Sequence, residues 1–184
     1  DKLQPIVTRL QHDAANIDST KLWLVQLAAD LASQLSLKQQ SAKWMNTYPL
    51  EKTPISYMSQ WADAQLALGQ YGYVLNKLGE IVQQAEYQDD ALLMRLAIAE
   101  VHQNQTITNG NNYLTKWQLA VNKRVNLRLQ RNDIYHAADL TRFFLYVQPD
   151  PEKAKYWAQQ NLIQSKSHED HTLVAAVQTM KMER

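Results

Sequence analysis

Apolar residues recur three and four positions apart along nearly the whole chain, which is the period of amphipathic α-helices. Short polar or proline-containing gaps interrupt this pattern and separate one helix from the next. The pattern predicts ten helices, at residues 2–16, 19–34, 36–47, 54–68, 70–86, 89–103, 112–131, 133–147, 150–165 and 168–182. We therefore expect an all-α protein.

Residues at several predicted helix ends have the chemistry that starts or stops a helix. Asp18 or Ser19 could cap the helix that begins near Leu22, and Thr53-Pro54 and Asp150-Pro151 each place a capping side chain before a first-turn proline. Gly69 suits the left-handed residue that ends a helix.

The predicted helices form pairs, and the pairs repeat. Ala28, Ala62 and Ala97 are separated by 34 and 35 residues, and a large apolar residue precedes each of them: Leu27, Trp61 and Leu96. A small residue beside a large one lets two helix backbones approach closely. The spacing therefore predicts stacked helical hairpins.

On these residues the chain resembles the tetratricopeptide (TPR) family, whose 34-residue helix-turn-helix repeat has a small residue at its eighth position. The second unit matches best, with Ala62 at that position, residues 67–71 across the turn and Val74, Leu78 and Ile81 on the second helix. The resemblance implies a right-handed superhelix of about four degenerate repeats plus terminal helices, forming one domain over residues 1–184. Its fourth repeat would span residues 133–166.

The order of segments also resembles the C-terminal part of a group of exported bacterial TPR proteins with no assigned activity. Leu22-Trp23-Leu24, Trp61-Ala62-Asp63, residues 90–100 and Asp133 with His136 are similar to that group, although Asn132 and Leu140 differ from its usual residues. The resemblance implies an exported, periplasmic location. Because the chain begins with Asp1 and not with Met, we expect a processed mature chain or a piece of a longer one, and the resemblance implies the C-terminal fragment of a longer protein.

Composition narrows the possible functions. The 184 residues include 19 Lys and Arg, 18 Asp and Glu, 4 Gly, 5 Pro and no Cys. So few turn residues argue against an all-β fold. A net charge of +1 provides no overall field for nucleic acid or anionic lipid, and no apolar run is long enough to cross a membrane. The absence of Cys excludes disulfides and thiolate zinc sites. We expect no cofactor and no bound metal.

One row of charged residues could carry chemistry. Asp133, His136, Asp139 and Arg142 follow each other at intervals of three, close to one helical face. The row could be a structural network, with Arg95 and Glu100 as partners across a helix interface, or a ligand-contacting surface. It could also orient His136 as a general base through Asp133 or Asp139, although no nucleophile motif or glycine-rich loop accompanies it. His168 and His171 supply at most half a metal site.

A second candidate surface lies on the predicted helix 112–131. No acidic residue occurs between Glu100 and Asp133, and the five cations there fall within about 140° of a helical wheel: Lys116, Lys123, Arg124, Arg128 and Arg131. These cations could form a solvated face, attract an acidic protein segment, or contact nucleic acid or lipid headgroups.

The function we expect is that of a non-enzymatic scaffold that binds a protein or peptide on the concave face of a TPR-like solenoid. The expected contacts are Tyr57, Arg95, Tyr135 and Arg142 on first helices, and Lys123, Arg124 and Arg128 on the basic helix. The alternatives are a metal- or His-dependent enzyme centred on His136, and an architectural domain that stabilises a longer chain or its oligomer.

Overall fold

The computed structural model describes residues 22–105 and 115–180. These residues form nine α-helices: α1 (Leu22–Gln34), α2 (Lys38–Met45), α3 (Ile55–Ala67), α4 (Tyr71–Gln84), α5 (Asp90–Gln105), α6 (Lys116–Gln130), α7 (Ala137–Arg142), α8 (Pro151–Gln164) and α9 (His168–Met180). The all-α prediction is therefore confirmed. The predicted helix 2–16 and the caps at Asp18 or Ser19 lie outside the described residues.

The helices pack as sequential antiparallel pairs, and the chain divides into two compact units. The N-terminal unit ends at Arg95 and contains α1 to α4 with the start of α5. The C-terminal unit begins at Leu96 and contains the rest of α5 with α6 to α9. In the described residues no helix is long and apolar enough to span a membrane.

Small residues lie where the helices approach each other. Ala28, Ala62 and Ala97 are each fully buried, as the repeat spacing predicts. Trp61 and Leu96, which precede two of them, are also buried, but Leu27 is 42% exposed. The expectation that a large apolar residue packs beside each alanine therefore fails at Ala28.

The N-terminal unit has a core of aliphatic and aromatic side chains from all four complete helices. Val25, Met45, Tyr57, Trp61, Val74 and Leu78 are buried there. In α5 the eight consecutive residues 92–99 are all buried, including Arg95. A helix that is buried on every side shows little amphipathic pattern, so α5 is recognisable by its apolar content instead.

Three helices end in a left-handed residue. Gly69, Ser36 and Asn132 have φ of 71°, 61° and 47°. In each case the next residue donates its N–H to a carbonyl five residues back, as Gln70 does to Gln65 at 3.0 Å. This is the Schellman arrangement, which satisfies carbonyls that the helix end leaves free. The prediction for Gly69 is confirmed.

The two predicted proline caps differ in outcome. The Asp150 carboxylate accepts a hydrogen bond from the Lys153 N–H at 3.1 Å, and Pro151 begins α8, as predicted. At α3 the prediction is wrong, because Pro54 occupies the cap position and Thr53 Oγ1 donates to the Leu50 carbonyl at 2.7 Å. A short 3₁₀ turn, Leu50–Lys52, makes that carbonyl available to the hydroxyl.

The C-terminal unit departs from regular α-helix on both sides of α7. A 3₁₀ turn, Ile134–His136, precedes α7, and a π-helical turn, Phe143–Val147, follows it. The predicted helix 133–147 therefore has three geometries. Phe143 and Phe144 in the π turn are buried, together with Leu140, Trp157 and Leu173 from the neighbouring helices.

Candidate functional site

The predicted row of charges is divided between helix α7 and the 3₁₀ turn before it. Asp139 and Arg142 lie on α7 and belong to a network that joins three helices. Arg128 of α6 donates to Asp139 at 2.7 Å, while Arg142 lies 3.7 Å from Asp139 and also bonds Glu169 of α9. The Arg128, Arg142 and Asp139 side chains are only 12%, 12% and 18% exposed. This network therefore stabilises the packing of α6 and α9 around α7 and offers little surface to a ligand.

Asp133 and His136 form the second cluster, on the 3₁₀ turn. The Asp133 carboxylate lies 2.8 Å from His136 Nδ1. Partial burial favours the protonated Asp133, but the His136 hydrogen bond and the charges of His136 and Arg128 outweigh it and hold the pKa of Asp133 below its usual value. Asp133 therefore orients the imidazole, whereas Asp139 does not join this pair because Arg128 binds it.

Arg95 and Glu100, the predicted partners of this row, have other partners. Arg95 binds Asp63 of α3 through two hydrogen bonds of 2.7 and 3.0 Å. Glu100 Oε2 accepts the backbone N–H groups of Trp117 and Gln118 at 2.9 and 3.0 Å and so caps α6. A carboxylate at a helix N-terminus also interacts favourably with the helix dipole. The contacts that Arg95 and Glu100 make are therefore with Asp63 and with the start of α6, and the expected pairing with residues 133–142 stays a prediction.

The two predicted tyrosine contacts lie in opposite environments. Tyr57 is fully buried and its hydroxyl donates to the Met45 carbonyl at 2.8 Å. Burial raises the pKa of Tyr57 to about 12. Its ring has no surface for a partner, so Tyr57 is a core residue and its assignment as a contact is corrected. Tyr135 is 83% exposed and remains a candidate contact.

Helix α6 exposes a mixed basic and apolar surface, which we call the basic face. Leu119 and Leu127 are 45% and 41% exposed on it. Their positions, with that of Lys123 between them, follow at intervals of four residues and so share one side of the helix. The remaining members of the basic face are also exposed: Lys116, Arg124 and Arg131. Of the predicted basic contacts, Lys123 and Arg124 lie on this face, while Arg128 belongs to the network with Asp139.

Sequence reasoning missed a dense polar cluster around Asp170 at the start of α9. Asp170 is buried and accepts hydrogen bonds from the Asn161 amide, the Ser165 hydroxyl, and the Ser167 hydroxyl and N–H. Burial opposes its ionisation, but these four donors outweigh that cost and lower the pKa of Asp170 to about 2. The signal was a capping box, Ser167 followed by an acid three residues later.

His168 and His171, on the first turn of α9, are exposed. In the described residues no group of three His, Asp or Glu side chains is arranged to hold a metal ion. Comparison of the chain with protein-family models, with curated proteins and with solved structures gave no match. The geometry of the chain itself is therefore the basis for a functional proposal.

Proposed function

We propose that this chain is a non-enzymatic protein-binding scaffold built of TPR-like repeats, and that the basic face of α6 binds an acidic segment of a partner. The observation that carries the proposal is the exposure of two leucines among three cations of that helix and Arg131 directly after it. An apolar strip flanked by charge of one sign is typical of surfaces that bind an amphipathic helix of opposite charge.

Contacts between alternate helices support the superhelical part of the proposal. Gln60 on α3 donates to the Gln26 carbonyl on α1 at 2.7 Å, across 34 residues. The Arg95 pair with Asp63 then joins α5 to α3 across 32 residues. First helices of successive repeats contact each other in this way when hairpins stack by translation. The burial of Ala28, Ala62 and Ala97 at the same period agrees with such stacking.

The distribution of charge supports an acidic partner. Helix α6 contains Lys and Arg but no acidic residue. Arg128 is neutralised by Asp139, whereas Lys123 extends from the exposed surface. Exposed cations raise the association rate for a negative partner, and the desolvation of Leu119 and Leu127 would supply affinity that salt does not remove. The effect of the cations on the association rate and the effect of the leucines on affinity can be measured separately.

Selection from a displayed library of random peptides at about 0.1 M salt tests the proposal. We expect enriched peptides to combine acidic residues with apolar residues three and four positions apart. Lys123→Glu should weaken their binding about tenfold, mainly through the association rate, and added salt should have a similar effect. Leu127→Ala should weaken binding without changing the salt dependence.

Lys77→Glu is the matched control, because Lys77 is an exposed lysine on α4 in the N-terminal unit. It makes the same change of charge outside the basic face and should leave binding unchanged. The proposal is refuted when the selected peptides bind Lys123→Glu and Leu127→Ala as tightly as the unaltered chain.

A further inference from the structure

The N-terminal unit has an open groove that is lined mainly by uncharged polar side chains, unlike the basic face. Its volume is about 570 Å³, and α2, the end of α3 and the start of α4 form its walls. The lining residues are Gln39, Ala42, Lys43, Asn46, Gln65, Leu68, Gln70 and Tyr73. Four of these eight are carboxamides, and Lys43 is the one charged residue among them. We call this feature the amide groove.

The carboxamides at the base of the groove are held in fixed orientations. Asn46 Oδ1 accepts the indole N–H of Trp61 at 2.8 Å and the Gln65 amide at 3.4 Å. Because both bonds use the oxygen of Asn46, its amide hydrogens remain available as donors. Gln65 is only 3% exposed, and since its nitrogen binds Asn46, its oxygen remains an acceptor on the groove wall.

An aromatic pair fixes one side of the groove. The Tyr73 ring, 42% exposed, packs on the buried Trp61 ring with a centroid distance of 5.5 Å. Trp61 thus holds both Tyr73 and Asn46 in place. Lining groups that are already oriented lose less conformational entropy on binding.

We infer that the amide groove binds an extended polypeptide segment through that segment's backbone. Asn46 offers its amide hydrogens and Gln65 its carbonyl oxygen, the groups that the C=O and N–H of a peptide unit require. The exposed side chains of Gln39 and Gln70 add further donors and acceptors along the same groove. Lys43 favours a neutral or acidic segment over a basic one. The inference does not depend on the basic face, which lies on the other unit.

The test is a selection of random peptides on the full chain at about 0.5 M salt, where attraction between exposed charges is screened beyond a few ångströms. Counter-selection uses the double variant Gln39→Ala/Gln70→Ala, because both side chains are exposed and their removal should not unfold the unit. Synthetic copies of enriched peptides should shift the side-chain amide resonances of Asn46 and Gln65 and the indole resonance of Trp61. The double variant should bind them about tenfold more weakly, and Gln84→Ala, an exposed amide elsewhere on α4, should bind them normally.

The inference is overturned when no peptide is enriched over the double variant, or when enriched peptides leave those three resonances unchanged. It is also overturned when maltopentaose shifts them and the peptides do not, since the groove would then be a glycan site. Acidic peptides that depend on Lys123 but not on the groove would contradict only this inference, whereas peptides that depend only on the groove would support it without supporting the basic face.

Discussion

Replacing Asp170 with Asn should destabilise the hairpin of α8 and α9. The carboxylate accepts four hydrogen bonds, among them that from Asn161 at 2.6 Å and that from the Ser167 N–H at 2.8 Å. Its pKa falls from 3.8 to about 2, and this difference corresponds to about 2 kcal/mol in favour of the folded, ionised state. Asn can replace only part of that set, because its NH₂ group would face N–H and O–H donors.

The pH dependence follows from the direction of the shift. A carboxyl with a lowered pKa stabilises the fold above its unfolded value and loses this contribution as the pH falls through its folded value. The contribution should be complete at pH 7, reduced to roughly half at pH 3 and small below pH 2. The difference in stability between Asp170 and Asp170→Asn should shrink in the same way.

Hydrogen exchange followed by mass spectrometry is the suitable assay because it reports on α8 and α9 separately from the other helices. We expect loss of exchange protection in both helices of Asp170→Asn at pH 7. In denaturant titrations, the free energy of unfolding that Asp170→Asn loses should be smaller at pH 3 than at pH 7. Glu80→Gln, an exposed carboxylate on α4, is the charge-matched control and should change neither. A difference that stays constant between pH 7 and pH 3 would refute the assignment of the effect to the ionised carboxylate.

Two further predictions concern the backbone and the helix contacts. Ser36→Gly should raise the free energy of unfolding of the N-terminal unit by about 0.5 to 1 kcal/mol, because Ser36 has φ of 61° and glycine adopts that conformation without strain. Ser33→Gly, at an exposed site in the last turn of α1, should lower it by about 0.5 kcal/mol, and a gain there would contradict the argument. Ala62→Leu should destabilise by about 1 to 3 kcal/mol in chemical denaturation because its methyl group is fully buried between helices, while Ala67→Leu at the exposed end of α3 should cost little. Equal effects of these two leucines would mean that Ala62 is not a close-approach position.

The helices were predictable because their signals are local. Apolar spacing indicated each of the nine α-helices in the described residues. Asp150-Pro151 correctly marked the start of α8, and Gly69 correctly marked the end of α3. Thr53 misled because its hydroxyl can bond to a preceding carbonyl as well as to a following N–H, and the 3₁₀ turn before it decides between these options.

The candidate site was less predictable because it depends on geometry beyond one helix. Spacing of three residues suggested one row from Asp133 to Arg142, but α7 begins only at Ala137. The 3₁₀ turn before it rotates Asp133 and His136 away from the positions that a continuous α-helix would give them. Burial of Tyr57 is a tertiary effect, since its hydroxyl reaches the Met45 carbonyl on α2 and no pattern within α3 encodes that contact.

The cationic side chains divide into buried arginines that join helices and exposed residues on the surface. Arg95, Arg128 and Arg142 were expected at a binding surface, yet each is mostly buried and bonds a carboxylate on another helix. A planar guanidinium can satisfy several hydrogen bonds at once, so it is better suited than an ammonium group to such partly buried pairs. The ammonium group of Lys123 lacks this planar set of donors, and the side chain is exposed on α6. The arginines that join helices are therefore poor candidates for partner contacts, which is why we propose the exposed cations of the basic face instead.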